Sequence, residues 1–265
     1  MKNNFISYSQ HADDYIAWQL LGKKKEGLVI EVGAFDGIHL SNSYSFSQLG
    51  WKSICIEPNP EIFEYLKLNR LNSININKAI VGDENIKEID FYKEEIGVLS
   101  GCKYDEDDIK SRYKNRGISY KEPDKLKVKA ITLNALFEEF NLDEIDVLSI
   151  DVEGFELEVL KGLNLNRYNV NLFIIEANTI IEKQKILNYF KNKTNYIYVG
   201  ENKQNLFFLR DVYLSKKNIR NLNFDNYIKA KQAHPKDDSL TLNSTPPEFK
   251  KTKYILKYEK YFGVI

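Results

Sequence analysis

The sequence predicts an α/β fold in which helices cover both faces of a seven-stranded, mostly parallel sheet. Short apolar runs alternate with segments whose apolar residues follow helical spacing. This alternation favours a parallel sheet. The last two runs, 196–199 and 206–209, are separated by a short polar link. That link predicts a terminal hairpin, which adds one antiparallel strand.

Each predicted strand is an apolar run with a clear stop. The run at 53–56 ends in Glu57-Pro58, where the proline interrupts the strand. Two later runs end in the acids Asp151 and Glu176. Strands are expected at 28–32, 53–56, 76–81, 146–151, 171–176, 196–199 and 206–209, with a short additional strand at 89–92.

Capping residues and apolar spacing predict the helices between these strands. Ser41 or Ser43 is suited to begin one helix, and Gly162 is suited to end another. Helical segments are expected within 1–26 and at 41–50, 61–71, 133–140, 153–160 and 179–190.

The chain is expected to divide into one domain and an extension. Residues 1–212 form the α/β domain, in which the charge-rich segment 93–126 is typical of an insertion or mobile loop. Residues 213–265 are polar and lie beyond the strand pattern. They are expected to serve as a lid or as an oligomer contact.

Composition limits the function classes. The chain has 38 basic and 38 acidic residues, so it lacks the basic excess of a nucleic-acid-binding protein. Two cysteines among 265 residues provide neither a disulfide framework nor a cysteine zinc site. No apolar run reaches transmembrane length, and a cytoplasmic location without a membrane partner is expected.

The segment 28–37 predicts a strand that runs into a cofactor loop. Gly33 and Gly37 lack a Cβ, so their backbone is expected to approach a ligand closely. Glu31 and Asp36 make this loop acidic, whereas a dinucleotide pyrophosphate prefers glycines and a helix N-terminus. An acidic loop suits a cationic cofactor with free hydroxyls, such as S-adenosylmethionine (SAM).

Acids at other strand ends extend this hypothesis, because ligands of open α/β sheets bind beyond the carboxyl ends of the strands. Glu57 is placed to take both ribose hydroxyls, and its simpler interpretation is a helix cap. Asp83 is placed to accept from an adenine amino group or to cap a turn. Glu31 and Asp36 are expected near the methionine and ribose portions.

A second group of acids indicates the part of the cleft in which the group transfer would take place. Asp151 is expected to point into the cleft, with Glu153 in the first turn of the following helix. Asp151, Glu176 and Asn178 offer oxygen ligands for a divalent ion such as Mg²⁺. Asp151 is therefore a candidate ligand or base, Glu153 a further catalytic candidate, and His234 in the extension a candidate base. Glu156 is expected on a solvated helix face.

The ordered motifs resemble the FkbM family of SAM-dependent methyltransferases over residues 7–210. They are Glu31-Val-Gly33-Ala34-x-Asp36-Gly37, Ser41-Asn42, Glu57-Pro58-Asn-Pro and Asp151-Val-Glu153-Gly-x-Glu156. The resemblance implies a class I methyltransferase Rossmann-like fold. It also implies a SAM site lined by Glu31, Gly33, Ala34, Asp36, Ser41, Asn42, Glu57 and Pro58.

The resemblance further implies O-methylation, here of a saccharide or nucleotide-linked sugar in surface-polysaccharide or natural-product biosynthesis. Metal assistance and a homo-oligomer are both compatible with this hypothesis.

Two alternatives remain open. An NAD-dependent sugar oxidoreductase or epimerase has a similar beginning, but Gly-x-Gly-x-x-Gly is absent because Glu31 occupies the first glycine position. A non-catalytic SAM-binding module has no need for acids at Asp151 and Glu176.

Overall fold

The computed structural model of this protein describes residues 5–115, 117–193, 195–213 and 231–232. Strands and helices alternate along most of the chain. The strands are β1 Ile6–Ser7, β2 Leu28–Val32, β3 Lys52–Ile56, β4 Ile74–Ile76, β5 Ala79–Ile80, β6 Glu88–Lys93, β7 Asp124–Ile131, β8 Glu144–Ile150, β9 Asn169–Glu176, β10 Tyr196–Asn202, β11 Asn205–Arg210 and β12 Lys231–Gln232. The helices are α1 Asp13–Leu20, α2 Tyr44–Gln48, α3 Pro60–Asn69, α4 Glu106–Lys114, α5 Leu133–Glu139, α6 Glu156–Lys161 and α7 Ile180–Lys191.

Seven strands form the central sheet in the order β4-β3-β2-β8-β9-β11-β10. Strands β4, β3, β2, β8 and β9 pair in parallel, and β11 pairs antiparallel with both β9 and β10. This confirms the predicted seven-stranded, mostly parallel sheet with its antiparallel hairpin strand. Because neighbouring parallel strands end at one edge, Glu31, Glu57, Asp151 and Glu176 lie at or just beyond that edge.

Apolar side chains are buried on both faces of the sheet, as its parallel strands require. One cluster includes Ile30, Leu148 and Phe173 with residues of α5, α6 and α7. The second cluster packs Trp18 of α1 against the sheet residue Val147. Because both faces of the sheet are covered, the sequences of the central strands are nearly continuous apolar runs.

The prediction of a single third strand over 76–81 was wrong. It is divided into β4, at the edge of the central sheet, and β5, which belongs to a smaller sheet ordered β5-β7-β6. Between them, the Asn77 side-chain amide donates to the carbonyl oxygens of Glu57 and Pro58. These bonds fix the chain where it leaves one sheet for the other.

Segment 93–126 contains regular structure that sequence analysis did not predict. Helix α4 crosses it, and Ile96, Ile109 and Tyr113 form a small buried cluster. Some of the charged residues that suggested a loop are exposed on this helix, namely Glu106, Asp107, Asp108, Lys110 and Lys114.

The helix predicted at 153–160 begins later, at Glu156. Glu153 has φ 54° and Gly154 has φ 89°, so both lie in the left-handed region before the helix. Glu153 is therefore not a first-turn residue stabilised by the helix dipole.

Most of the extension 213–265 lies outside the described residues. The short strand β12 pairs in parallel with β1 near the N-terminus. None of the helices in the described ranges is long and apolar enough to cross a membrane.

The end of β2 approaches the end of β8 so closely that only glycine fits at position 33. Gly33 has φ 87°, and a Cβ built there would lie 1.8 Å from the Asp151 carbonyl oxygen. The Asp151 N–H also donates to the Val32 carbonyl oxygen at 3.0 Å. The missing Cβ thus permits this close backbone packing.

We expect Gly33→Ala to destabilise the fold by about 1–3 kcal/mol more than Gly50→Ala, because overpacking adds to strain. Gly50 is a matched control, since its φ is 91° but nothing lies within 4 Å of the point that a Cβ would occupy there. Urea unfolding of both variants measures the difference. Equal losses of stability would contradict the proposed backbone contact.

Candidate functional site

Two adjoining cavities open at the carboxyl edge of the central sheet. The first, here named the inner cavity, lies against the 31–42 loop, the end of β3 and the 97–102 segment. The second, here named the polar cavity, lies between the N-terminal segment, α4 and the ends of β8 and β9. Leu40, Asn42, Val98, Asp151 and Glu153 line both cavities, so the two form one continuous site.

Glu57 presents a fixed carboxylate to the inner cavity. One oxygen accepts from the Phe35 N–H at 3.0 Å, and the other accepts from the Asn59 N–H at 2.7 Å. Burial raises the pKa of Glu57 to about 8, against the lowering effect of these two bonds. Each carboxylate oxygen has capacity for another donor, which suits a pair of ligand hydroxyls.

Glu31 holds the turn that forms the opposite wall. Its carboxylate accepts from the Ser41 and Ser43 hydroxyls at 2.7 and 2.6 Å and from the Asn42 N–H at 2.6 Å. Burial raises the pKa of Glu31. Its role is thus to position the 41–43 turn while it lines the cavity beside Ser41.

Asn42 carries an unsatisfied acceptor at the junction of the two cavities. Its amide nitrogen donates to the Ser149 hydroxyl at 3.0 Å, but its amide oxygen is buried without a hydrogen-bond partner. Because a buried acceptor without a donor is unfavourable, this oxygen suits a ligand that brings one.

Of the remaining residues predicted to bind the cofactor, some line the inner cavity and one does not. Gly33, Ala34 and Pro58 line the inner cavity. Asp36 is buried outside its lining and accepts from the His39 backbone N–H at 3.0 Å, with the His39 ring at 2.6 Å. Asp36 therefore positions His39, which does line the cavity.

Asp83 does not lie in either cavity. It is exposed, and its carboxylate accepts from the backbone and side-chain N–H groups of Asn85. The adenine role considered for Asp83 depended on the undivided strand 76–81, so its alternative role as a turn cap fits the structure. His234, the candidate base, lies outside the described residues.

Three carboxylates meet where the cavities join. Oxygen atoms of Asp151, Glu153 and Glu176 lie within 4.8 Å of one another. Desolvation by the surrounding protein raises the pKa of Asp151. Desolvation and the nearby charge of Asp151 raise the pKa of Glu153 to about 8. Burial and the two neighbouring acids raise the pKa of Glu176 well above its ordinary value.

Asp151 and Glu176 shift each other's pKa in opposite directions. Glu176 lowers the pKa of Asp151, whereas Asp151 raises the pKa of Glu176. Asp151 is exposed at the junction of the two cavities, so it is the candidate proton acceptor among these acids.

Arg112 is a site residue that sequence analysis missed. Its guanidinium contacts Glu153 at 3.0 Å and Asp108 at 2.9 Å. Its charge lowers the pKa of Asp151 and Glu153, against the larger effect of burial. Arg112 lies on α4, within the segment interpreted as a loop, so its sequence neighbours gave no signal of this long-range contact.

Glu156 is buried, in contrast to the solvated position predicted for it. Its carboxylate accepts from the Val152 and Gly154 N–H groups at 3.1 and 3.0 Å. It therefore closes the turn that carries Glu153. Asn178 similarly supports its neighbour, because its side-chain N–H donates to Glu176 at 2.7 Å.

Two solved methyltransferase structures are similar to this chain. A methyltransferase from Geobacter sulfurreducens is similar at 14% identity, covering 77% of this chain and 80% of that chain with a TM-score of 0.42. The METTL16 MTase domain is similar at 11% identity, covering 74% of this chain and 64% of that chain, also with a TM-score of 0.42. The search of curated proteins found no match.

The Methyltransferase FkbM domain matches residues 31–222, which is more than half of the chain. This range includes the 31–42 loop, Glu57 and the three carboxylates at the junction of the cavities. The match agrees with the predicted class I methyltransferase Rossmann-like fold that the sheet order displays. The chain belongs to the FkbM family of methyltransferases.

Proposed function

We propose that this protein is a SAM-dependent O-methyltransferase that acts on a saccharide hydroxyl. The position of Asp151 carries the proposal, because this carboxylic acid lines both the inner and the polar cavity. A cofactor in the first cavity and an acceptor in the second would meet beside it. Membership of the methyltransferase family opposes the NAD-dependent alternative.

The inner cavity has the groups that SAM requires. Glu57 supplies two acceptor oxygens for ribose hydroxyls. Ile80, Phe91 and Phe155 provide apolar surface suited to a purine ring. When bound, SAM supplies a methyl group activated by a positively charged sulfur.

The polar cavity supplies the acceptor side. Asp151 is suited to take the proton of a sugar hydroxyl, because a raised pKa brings a carboxylate closer to the optimum for a base near neutral pH. Glu176 lies close to Asp151, and the Arg112 guanidinium contacts Glu153 and lowers the pKa of both Asp151 and Glu153. Positioning of the hydroxyl beside the cofactor contributes the remaining rate enhancement.

The carboxylate cluster fits a divalent ion only in part. Three hard oxygen ligands within 4.8 Å meet the donor requirement of Mg²⁺. However, Glu153 is already paired with Arg112, and Asn178 directs an N–H rather than its oxygen toward Glu176. We therefore favour Asp151 as a direct base over the metal-assisted route expected from the sequence.

Replacement of Glu57 by alanine should weaken SAM binding by about 10- to 100-fold, since it removes the acceptor oxygens for both ribose hydroxyls. Isothermal titration calorimetry with SAM measures the effect. Asp83→Asn is the matched control, because it changes an exposed acid outside the cavities and should leave affinity unchanged. An equal loss in both variants, or in neither, would refute the assigned ribose site.

Asp151→Asn should lower turnover by about 10²–10⁴-fold, the usual contribution of a general base. SAM affinity should change little, because the substitution preserves side-chain volume. Single-turnover methyl transfer and SAM calorimetry, performed on the same preparation, separate these effects. Parallel losses of turnover and affinity would assign Asp151 a structural role, as expected for a non-catalytic module.

Removal of divalent ions tests the base assignment from another direction. Turnover after treatment with a chelator should remain unchanged, since Asp151 and Arg112 supply the base and the compensating charge. A loss of turnover that Mg²⁺ restores would instead assign the cluster as a metal site. The ion content of the purified enzyme, measured by mass spectrometry, provides the control for complete removal.

A further inference from the structure

Acidic side chains outnumber basic ones in the lining of the polar cavity. Asp151, Glu153 and Glu176 lie close together in this lining. Among the described lysines and arginines, Arg112 alone lines the cavity. His11 is the other lining side chain able to carry positive charge. Five lining carboxylates face these two groups: Asp13, Asp108, Asp151, Glu153 and Glu176.

The cations near the cavity are already paired. Arg112 binds Asp108 through Nε at 2.9 Å and Glu153 through Nη1 at 3.0 Å. Lys103, in the groove beyond, contacts Glu182 at 3.3 Å. An incoming phosphate would therefore compete with carboxylates for each of these cations, and it would meet the remaining acids without compensation.

The N-terminus of α7 does not provide an anion site either. Thr179 lines the cavity, but its hydroxyl accepts from the Glu182 N–H at 3.1 Å. The Glu182 carboxylate accepts from the Thr179 N–H at 3.1 Å in return. This reciprocal capping satisfies N–H groups that a phosphate would otherwise bind.

Uncharged polar groups in the same cavity suit a polyol. The amide side chains of Gln10, Asn178, Gln204 and Asn205 line it together with Asn42. The Asn42 amide oxygen is buried and unpartnered, so it favours a ligand that donates a hydrogen bond. Hydroxyl and ammonium groups are such donors, whereas a phosphate dianion is an acceptor.

We infer that the acceptor portion bound in the polar cavity is an uncharged or amine-bearing sugar and not a phosphorylated or nucleotide-linked one. This inference rests on the proposed function and narrows the acceptor class of the same site. The balance of charge selects against a diphosphate, and the amides and acids recognise hydroxyl or ammonium groups.

Calorimetric titration of the protein saturated with S-adenosylhomocysteine (SAH) tests the inference. Glucose, glucosamine and glucose 6-phosphate form a matched set that differs in charge. We expect glucosamine and glucose to bind at least about tenfold more tightly than glucose 6-phosphate, because the acids that line the cavity disfavour a phosphate dianion at short range. Equal or tighter binding of glucose 6-phosphate, or no binding by any of the three sugars, would overturn the inference.

A substitution that removes one charge tests the same inference independently. Asp108→Asn removes the carboxylate that occupies Arg112 Nε, so it should reduce the discrimination against glucose 6-phosphate. Glu106→Gln is the matched control on the same helix, because Glu106 pairs with Lys110 outside the cavity lining. Unchanged discrimination in Asp108→Asn would contradict the role given to charge.

The SAH titration itself separates the two levels of the hypothesis. Failure of SAH to bind would refute the proposed function. Tight SAH binding together with a preference for the phosphorylated sugar would refute the acceptor class alone.

Discussion

The close contact between the backbone at Gly33 and the carbonyl of Asp151 is the constraint on which the site depends. A left-handed glycine at the end of β2 lets the neighbouring end of β8 approach without a Cβ between them. Consequently the loop that lines the inner cavity and the acid that faces the polar cavity are fixed relative to each other. The two halves of the site are thus joined through the backbone of the sheet rather than through flexible side chains.

Acids give this edge its chemical character. Glu31 and Glu57 are held by N–H and hydroxyl donors, which organise loops around the inner cavity. Asp151, Glu153 and Glu176 instead lie close to one another; desolvation raises the pKa of all three, and neighbouring acids raise those of Glu153 and Glu176 further. The same strand edge therefore has a side suited to bind hydroxyls and a side suited to accept a proton.

The sequence was sufficient where a local pattern determines position. Apolar runs ending in acids predicted the strand ends at Glu57, Asp151 and Glu176, because parallel strands place such residues on one edge. It was insufficient where tertiary contacts decide: Asn77 diverts the chain between two sheets, which removes Asp83 from the site. Arg112 reaches Glu153 from a distant helix, and Glu156 becomes buried because a left-handed turn delays the start of α6. No periodicity in the sequence encodes these contacts.

A crystal structure of the SAH complex would test the assigned site most directly. We expect the Glu57 carboxylate within hydrogen-bond distance of both ribose hydroxyls and the sulfur beside Asp151, at the junction of the two cavities. SAH bound away from Glu57, or with its sulfur directed away from Asp151, would contradict the central claim that this acid connects cofactor and acceptor.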